Sequence, residues 1–181
     1  MGLAMIHGIV MGCGGGISVQ STPGKGSRFT VCLPVTTEEA AAGGSEPEPL
    51  PRGSEHILLV DDETPVLTLQ QRMLERMGYQ VTARTGSLEA LALFTAQPEI
   101  FNLVLTDMTM PDMTGEQLAR EILRLRPDTP VVLFTGYSKA MSEEKARDLG
   151  IRAFLYKPVV KEQLARTIRH ALDGGTPLYP S

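Results

Sequence analysis

The chain has 181 residues, 42% of them apolar and 21% charged, with a formal net charge of −4, a composition that excludes wholesale disorder and a membrane class. No run of about 18 uncharged apolar residues occurs and the N-terminus lacks a basic segment followed by an apolar stretch, so a cytoplasmic chain without membrane contact is expected. Basic residues are scattered among acidic ones, which argues against direct nucleic-acid binding, while Cys13 and Cys32 have no partner at metal-ligand spacing and read as reduced thiols.

In chain order, Gly2 to Val10 reads as a helix with Leu3, Ile6 and Val10 on one face, ended by Gly14, Gly15 and Gly16. Two strands follow, Ile17–Ser21 and Arg28–Pro34, joined through Pro23-Gly24-Lys25-Gly26. A piece of about 34 residues buries too little surface to fold alone. Residues 35–54, rich in Gly, Pro, Glu and Ala, read as a flexible linker.

Residues 55–175 alternate strand and helix signals, ahead of a short tail at 176–181. Ile57-Leu58-Leu59-Val60 is a continuous apolar run, as expected of a strand covered on both faces, and Asp61 and Asp62 end it. The next helix carries Val66, Leu69, Met73, Leu74 and Met77 on one face and stops at Gly78, suited to a left-handed cap. Tyr79–Ala83 is a second strand. A helix after Ser87 presents Leu88, Leu91, Ala92 and Phe94, and Leu103–Thr106 is a third strand delivering Asp107.

Thr114 and Gln117 have capping-box spacing for a third helix, which runs through Leu118, Ile122 and Leu125 to Pro127. Val131–Thr135 is the fourth strand, Ser138–Leu149 a helix closed by Gly150, and Ala153–Tyr156 the fifth strand. Val160, Leu164, Ile168 and Leu172 mark the last helix. Five strand-then-helix units with short connections predict an α/β fold: a five-stranded, doubly wound parallel sheet, preceded by the short α+β fragment.

In such a sheet, ligands bind beyond the C-terminal strand ends, where the winding reverses. Asp61, Asp62, Asp107, Thr135 and Lys157 all fall at strand ends. Acidic pairs are commonly solvated surface charge, and Asp61-Asp62 alone would read so; Asp112, after Pro111, reads as a turn residue. Three converging carboxylates repel one another unless a cation binds or one acid stays protonated. Mg²⁺ suits such a site through octahedral oxygen ligation. Asp107 can act as a phosphoryl-accepting nucleophile, Mg²⁺ and Lys157 can supply positive charge, and Thr135 can donate its hydroxyl to a phosphoryl oxygen.

The motifs Val60-Asp61-Asp62-Glu63, Thr106-Asp107 through Thr114-Gly115, Phe134-Thr135-Gly136 and Tyr156-Lys157-Pro158 resemble the flavodoxin-like receiver domains of two-component signalling, over roughly 120 residues. The resemblance implies Asp107 as phosphoacceptor, Asp62 as a direct Mg²⁺ ligand, Asp61 as a direct or water-mediated one, and the carbonyl of Thr109 completing the metal site. It also implies that Lys157 pairs with Asp107, that the Lys157-Pro158 bond is cis, and that Thr135 and Phe154 move together as an output switch. Thr109 and Tyr137 occupy positions that govern dephosphorylation in such domains, and neither offers a carboxylate or amide to orient water. The expected partner is a histidine kinase or a histidine phosphotransfer protein, docking along an apolar rim of Pro65, Thr68, Pro158 and Val159; a homodimer stays open.

Residues 1–34 resemble the closing part of a histidine-kinase ATP-binding domain, which implies origin in a hybrid sensor kinase with Met1 internal to it. The phosphoacceptor histidine and nucleotide motifs of such kinases are absent from the 181 residues, so no ATP-dependent kinase activity is expected of them. His7, His56 and His170 do not fit a phosphoaccepting histidine. A phosphatase working through an aspartyl phosphate would want an acid where Thr109 stands.

Overall fold

The computed structural model describes residues 2–35, 49–136 and 143–178. The linker core, Tyr137 and the start of the helix expected at Ser138 lie outside them. The chain divides into two compact units, Met1–Pro47 and Glu48–Ser181.

In the first unit, helix α1 (Gly2–Gly12) precedes an antiparallel hairpin of β1 (Gly16–Thr22) and β2 (Gly26–Cys32). Ile17 pairs with Val31 and Val19 with Phe29, so four apolar side chains share one hairpin face. Val10 is buried, and a β-carbon on Gly15 would meet the Cys32 carbonyl and the Val10 and Leu33 side chains. That close approach requires glycine where helix meets hairpin. Ile6, Ile9, Met11, Val19, Phe29, Val31 and Leu33 are exposed.

The second unit runs β3 (His56–Val60), α2 (Thr64–Arg76), β4 (Gln80–Arg84), α3 (Ser87–Ala96), β5 (Leu103–Asp107), α4 (Gly115–Leu125), β6 (Val131–Thr135), α5 (Glu143–Leu149), β7 (Ala153–Tyr156) and α6 (Lys161–Leu172), with a 3-10 turn at Pro98–Ile100. Its five strands pair in parallel in the order β4-β3-β5-β6-β7. The strand residues alternate between two cores. Ile57, Leu59, Leu103, Leu105, Val132, Phe134 and Leu155 pack with α2 and α6, and Leu58, Val60, Val104, Leu133 and Phe154 with α3, α4 and α5. Helices on both faces explain why the strands are unbroken apolar runs.

The cap and turn expectations are met: Gly78 and Gly150 have φ of 99° and 80°, Asp112 has φ 63°, and Thr114 and Gln117 form a capping box. Two helix faces differ from the expectation. In α2 the buried residues are Leu67, Gln70 and Leu74, while Leu69 is exposed; the row at 67, 70, 74 and 77 meets the core, and polar Gln70 masks it in the sequence. In α3 the buried residues are Ser87, Ala90 and Phe94, leaving Leu88 in solvent.

Candidate functional site

β3 pairs with β4 on one side and β5 on the other, so the winding reverses between β3 and β5 and leaves a crevice beyond their C-terminal ends. The apolar runs of both strands end there in acids. Asp61 is fully buried, Asp107 nearly so and Asp62 exposed, and one carboxylate oxygen from each lies within 4.8 Å of the others.

Asp61 and Asp107 are held by their neighbours. The Glu63 N–H donates to Asp61 Oδ1 at 2.9 Å, and the Asp61 N–H to the Arg84 carbonyl at 3.2 Å. The Thr109 N–H donates to Asp107 Oδ2 at 3.3 Å, and the Met108 N–H to the Phe134 carbonyl at 2.8 Å. From the far edge of the sheet, Lys157 Nζ reaches Asp61 Oδ2 and Asp107 Oδ1, both at 3.0 Å. Its own N–H donates to the Thr135 carbonyl at 2.9 Å, and the Lys157-Pro158 peptide is cis.

Burial pushes the Asp107 carboxyl above the ordinary carboxylate range, and the charge of Asp61 adds to this against the opposing pull of Lys157. Burial alone would lower the pKa of Lys157, but its bonds to Asp61 and Asp107 outweigh that and raise it. Lys157 therefore stays cationic at neutral pH, one positive charge facing three carboxylates. Three converging carboxylate oxygens against one ammonium group leave net negative charge, which suits a small hard cation that these acids could hold.

Thr135 ends β6 beside this cluster, and its hydroxyl donates to the Gly136 carbonyl at 2.9 Å. Phe154 is not in the crevice. It sits mid-β7, its ring buried in the core shared with α3, α4 and α5, which also contains Met108 and Met110.

Two features are not evident in the sequence. A β-carbon on Gly115 would collide with the Asp107 carbonyl and press on Met108, so glycine at the start of α4 fixes how closely that helix underlies the acid. The Glu63 amide is a second anchor for Asp61, and its only sequence signal is the aspartate two residues earlier, an arrangement common to many turns.

Residues 57–169 match the response regulator receiver domain family. Among curated proteins, the chain is 32% identical over 185 residues to sensor kinase CckA of Brucella abortus (strain 2308), covering 96% of this chain and 19% of that protein. It is 30% identical over 177 residues to the aerobic respiration control sensor protein ArcB of Escherichia coli (strain K12), covering 96% and 22%. The chain thus spans about a fifth of these relatives. Among solved structures, a receiver domain protein from Clostridium thermocellum superimposes with a TM-score of 0.63 at 32% identity, over 66% of this chain and 95% of that one. A CheY-like receiver from Methanospirillum hungatei JF-1 gives 0.62 at 34%, over 67% and 96%.

Proposed function

The chain belongs to the response regulator receiver domain family, whose members accept a phosphoryl group on an aspartate in two-component systems and hybrid sensor kinases, and we propose that here the acceptor is Asp107. The observation that carries this reading is the meeting of Asp107, Asp61 and Lys157 at the crevice, with Asp62 within reach of the same point. Asp107 Oδ attacks phosphorus, the bond to the phosphohistidine nitrogen breaks, and its electron pair and a proton restore the neutral imidazole. Lys157 moves its hydrogen bond from the carboxylate to a phosphoryl oxygen, and the Thr135 hydroxyl turns from Gly136 to another. Asp61, Asp62, Asp107 and the Thr109 carbonyl would hold Mg²⁺, which supplies charge that offsets repulsion between the acids and the incoming phosphate.

The phosphohistidine is carried by a histidine kinase or phosphotransfer protein, the donors that receivers of hybrid kinases use. α2 begins two residues after Asp62 and Pro158 follows Lys157, so both border the crevice. Exposed Pro65, Thr68 and Pro158, with Val159 half-buried against the core, offer an apolar rim for the partner's helix, which exposed Leu69 and Val160 extend. A net charge of −4 favours a protein partner over nucleic acid.

Incubation with acetyl phosphate and Mg²⁺, followed by intact mass, tests the reading. One phosphate should add to the wild type, none to Asp107→Asn, and none after chelation. Equal addition to Asp107→Asn would overturn it.

A second reading concerns residues 1–34 as the closing part of a kinase ATP-binding domain, within a hybrid sensor kinase. Two observations favour it: the similarity to CckA spans 96% of this chain, and the first unit leaves Val19, Phe29 and Val31 exposed on a two-stranded hairpin too small to stand alone. In-frame coding sequence upstream of Met1 carrying a phosphoacceptor histidine and nucleotide motifs is the expected finding; a stop codon directly before Met1 would end it.

A further inference from the structure

β7 is the outer strand of the five-stranded sheet, and an outer strand offers unpaired N–H and C=O groups to any extended segment. Here the segment after α6 takes that place. Leu178 bridges Ala153 in parallel register, its N–H donating to the Arg152 carbonyl at 2.9 Å and its carbonyl accepting from the Phe154 N–H at 3.2 Å.

The return of the chain is built in detail. After α6, Gly174 adopts φ 73° and the Gly175 N–H donates to the His170 carbonyl at 3.0 Å. His170 Nε2 lies 2.6 Å from the Thr176 carbonyl, an acceptor, so that nitrogen carries the proton. Arg152 donates to the Gly175 carbonyl at 3.4 Å. A β-carbon on Gly175 would run into the His170 ring, and moving the ring away would break its bond to Thr176. Thus His170 is half-buried and fastens the segment that follows its helix.

The strand so covered is the one that carries Phe154 and leads into Lys157. Only Leu155 and Tyr156 separate Phe154, whose amide is bonded to Leu178, from Lys157, whose Nζ is bonded to Asp107 and whose N–H is bonded to the Thr135 carbonyl. Transfer of Lys157 from a carboxylate to a phosphoryl oxygen pulls on β7 from its C-terminal end, while Leu178 holds it along its outer edge. The crevice and the strap thus bear on one strand, so a shift of β7 that suits one site changes the free energy of the other.

We propose that the β7 edge is a strand-pairing surface whose occupant is the chain's own Gly174–Leu178, and that phosphorylation of Asp107 releases this strap. The release rests on the function proposed above; the pairing does not. By reciprocity, a strap that phosphorylation loosens is one whose loss favours the phosphorylated state.

Hydrogen exchange on the full chain, with intact mass on the same samples, tests both halves. The Phe154 amide should exchange slowly in the unphosphorylated protein and about tenfold faster once phosphate is added, the scale of losing a hydrogen bond or two. Gly175→Val and Leu178→Pro, the latter lacking the N–H given to Arg152, should show fast exchange without phosphate and quicker phosphate uptake. Thr176→Ala, which keeps its backbone carbonyl, should resemble the wild type. Fast Phe154 exchange in the unphosphorylated wild type, or none of this effect in both strap variants, would overturn the pairing. Unchanged exchange in fully phosphorylated protein would overturn the release alone. Failure to add phosphate would end the proposed function and the release together, and Phe154 exchange would still judge the pairing.

Discussion

Between Gly115 and the carbonyl of Asp107 there is no space for a β-carbon, and the Gly115 N–H donates to the Met108 carbonyl at 3.0 Å. The first residue of α4 is thus in contact with the backbone of the acid that ends β5. Gly115→Ala must push helix and acid apart, and since the obstruction is backbone it does not swing away. Destabilisation of about 1–3 kcal/mol is expected from such overpacking, measured by urea unfolding, with slower phosphate uptake from acetyl phosphate. Unchanged stability and uptake would show that α4 can slide without disturbing Asp107.

Lys157 is the cation bonded to fully buried Asp61. Lys157→Ala leaves that charge without its partner, and breaking a buried pair costs about 3–5 kcal/mol, the lower end applying because Lys157 retains some exposure. Asp61→Asn in the same chain removes the stranded charge, so the double variant should be more stable than the sum of the singles by about 0.5–3 kcal/mol. Additive unfolding energies would mean that Lys157 does not compensate Asp61.

Much of this arrangement is legible in the sequence because the chemistry and the fold share a signal. Ile57–Val60 and Leu103–Leu105 are apolar on both faces, so the first acid after each run marks a strand's C-terminal end, and two such ends meet where the winding reverses. Lys157 is found by the same logic at the end of β7. The core row of α2 is less legible, because Gln70 takes a buried position while Leu69 does not. Gly115 reads as an ordinary helix start, since a steric exclusion leaves no residue type to recognise. The strap at Leu178 is made of backbone hydrogen bonds, and Thr-Pro-Leu carries none of the alternation that betrays a strand.

The ionisation of Asp107 sets a pH dependence. Burial raises its pKa in the folded chain above the value of 3.8 it has when free, so the folded state binds this proton more tightly than the unfolded state does. Stability from this group is fully present below 3.8 and is lost as pH rises through the higher folded value. Asp107→Asn has no such loss. Without divalent ions its thermal midpoint should exceed that of the wild type at pH 7, and the gap should close as pH falls below about 3.8. Mg²⁺ binding to the folded form should raise the wild-type midpoint more than that of the variant. A gap independent of pH would rule out ionised Asp107 as the source of the cost.

The lifetime of the phosphorylated state depends on how water reaches the acyl phosphate. Thr109 follows Asp107 by two residues and its amide is committed to Asp107 Oδ2, while its short side chain offers a hydroxyl but no carboxylate or amide to orient water for in-line attack. Tyr137, two residues beyond Thr135 in the sequence, carries neither a carboxylate nor an amide. A positioned base accelerates such steps by about 10²–10⁴-fold, so its absence should leave the phosphorylated form decaying over minutes or longer once acetyl phosphate is removed. Thr109→Asn, which supplies an amide able to hold water, should shorten the half-life several-fold, read by intact mass over time. Decay of the wild type within seconds would mean that another group on the crevice rim directs water to the phosphorus.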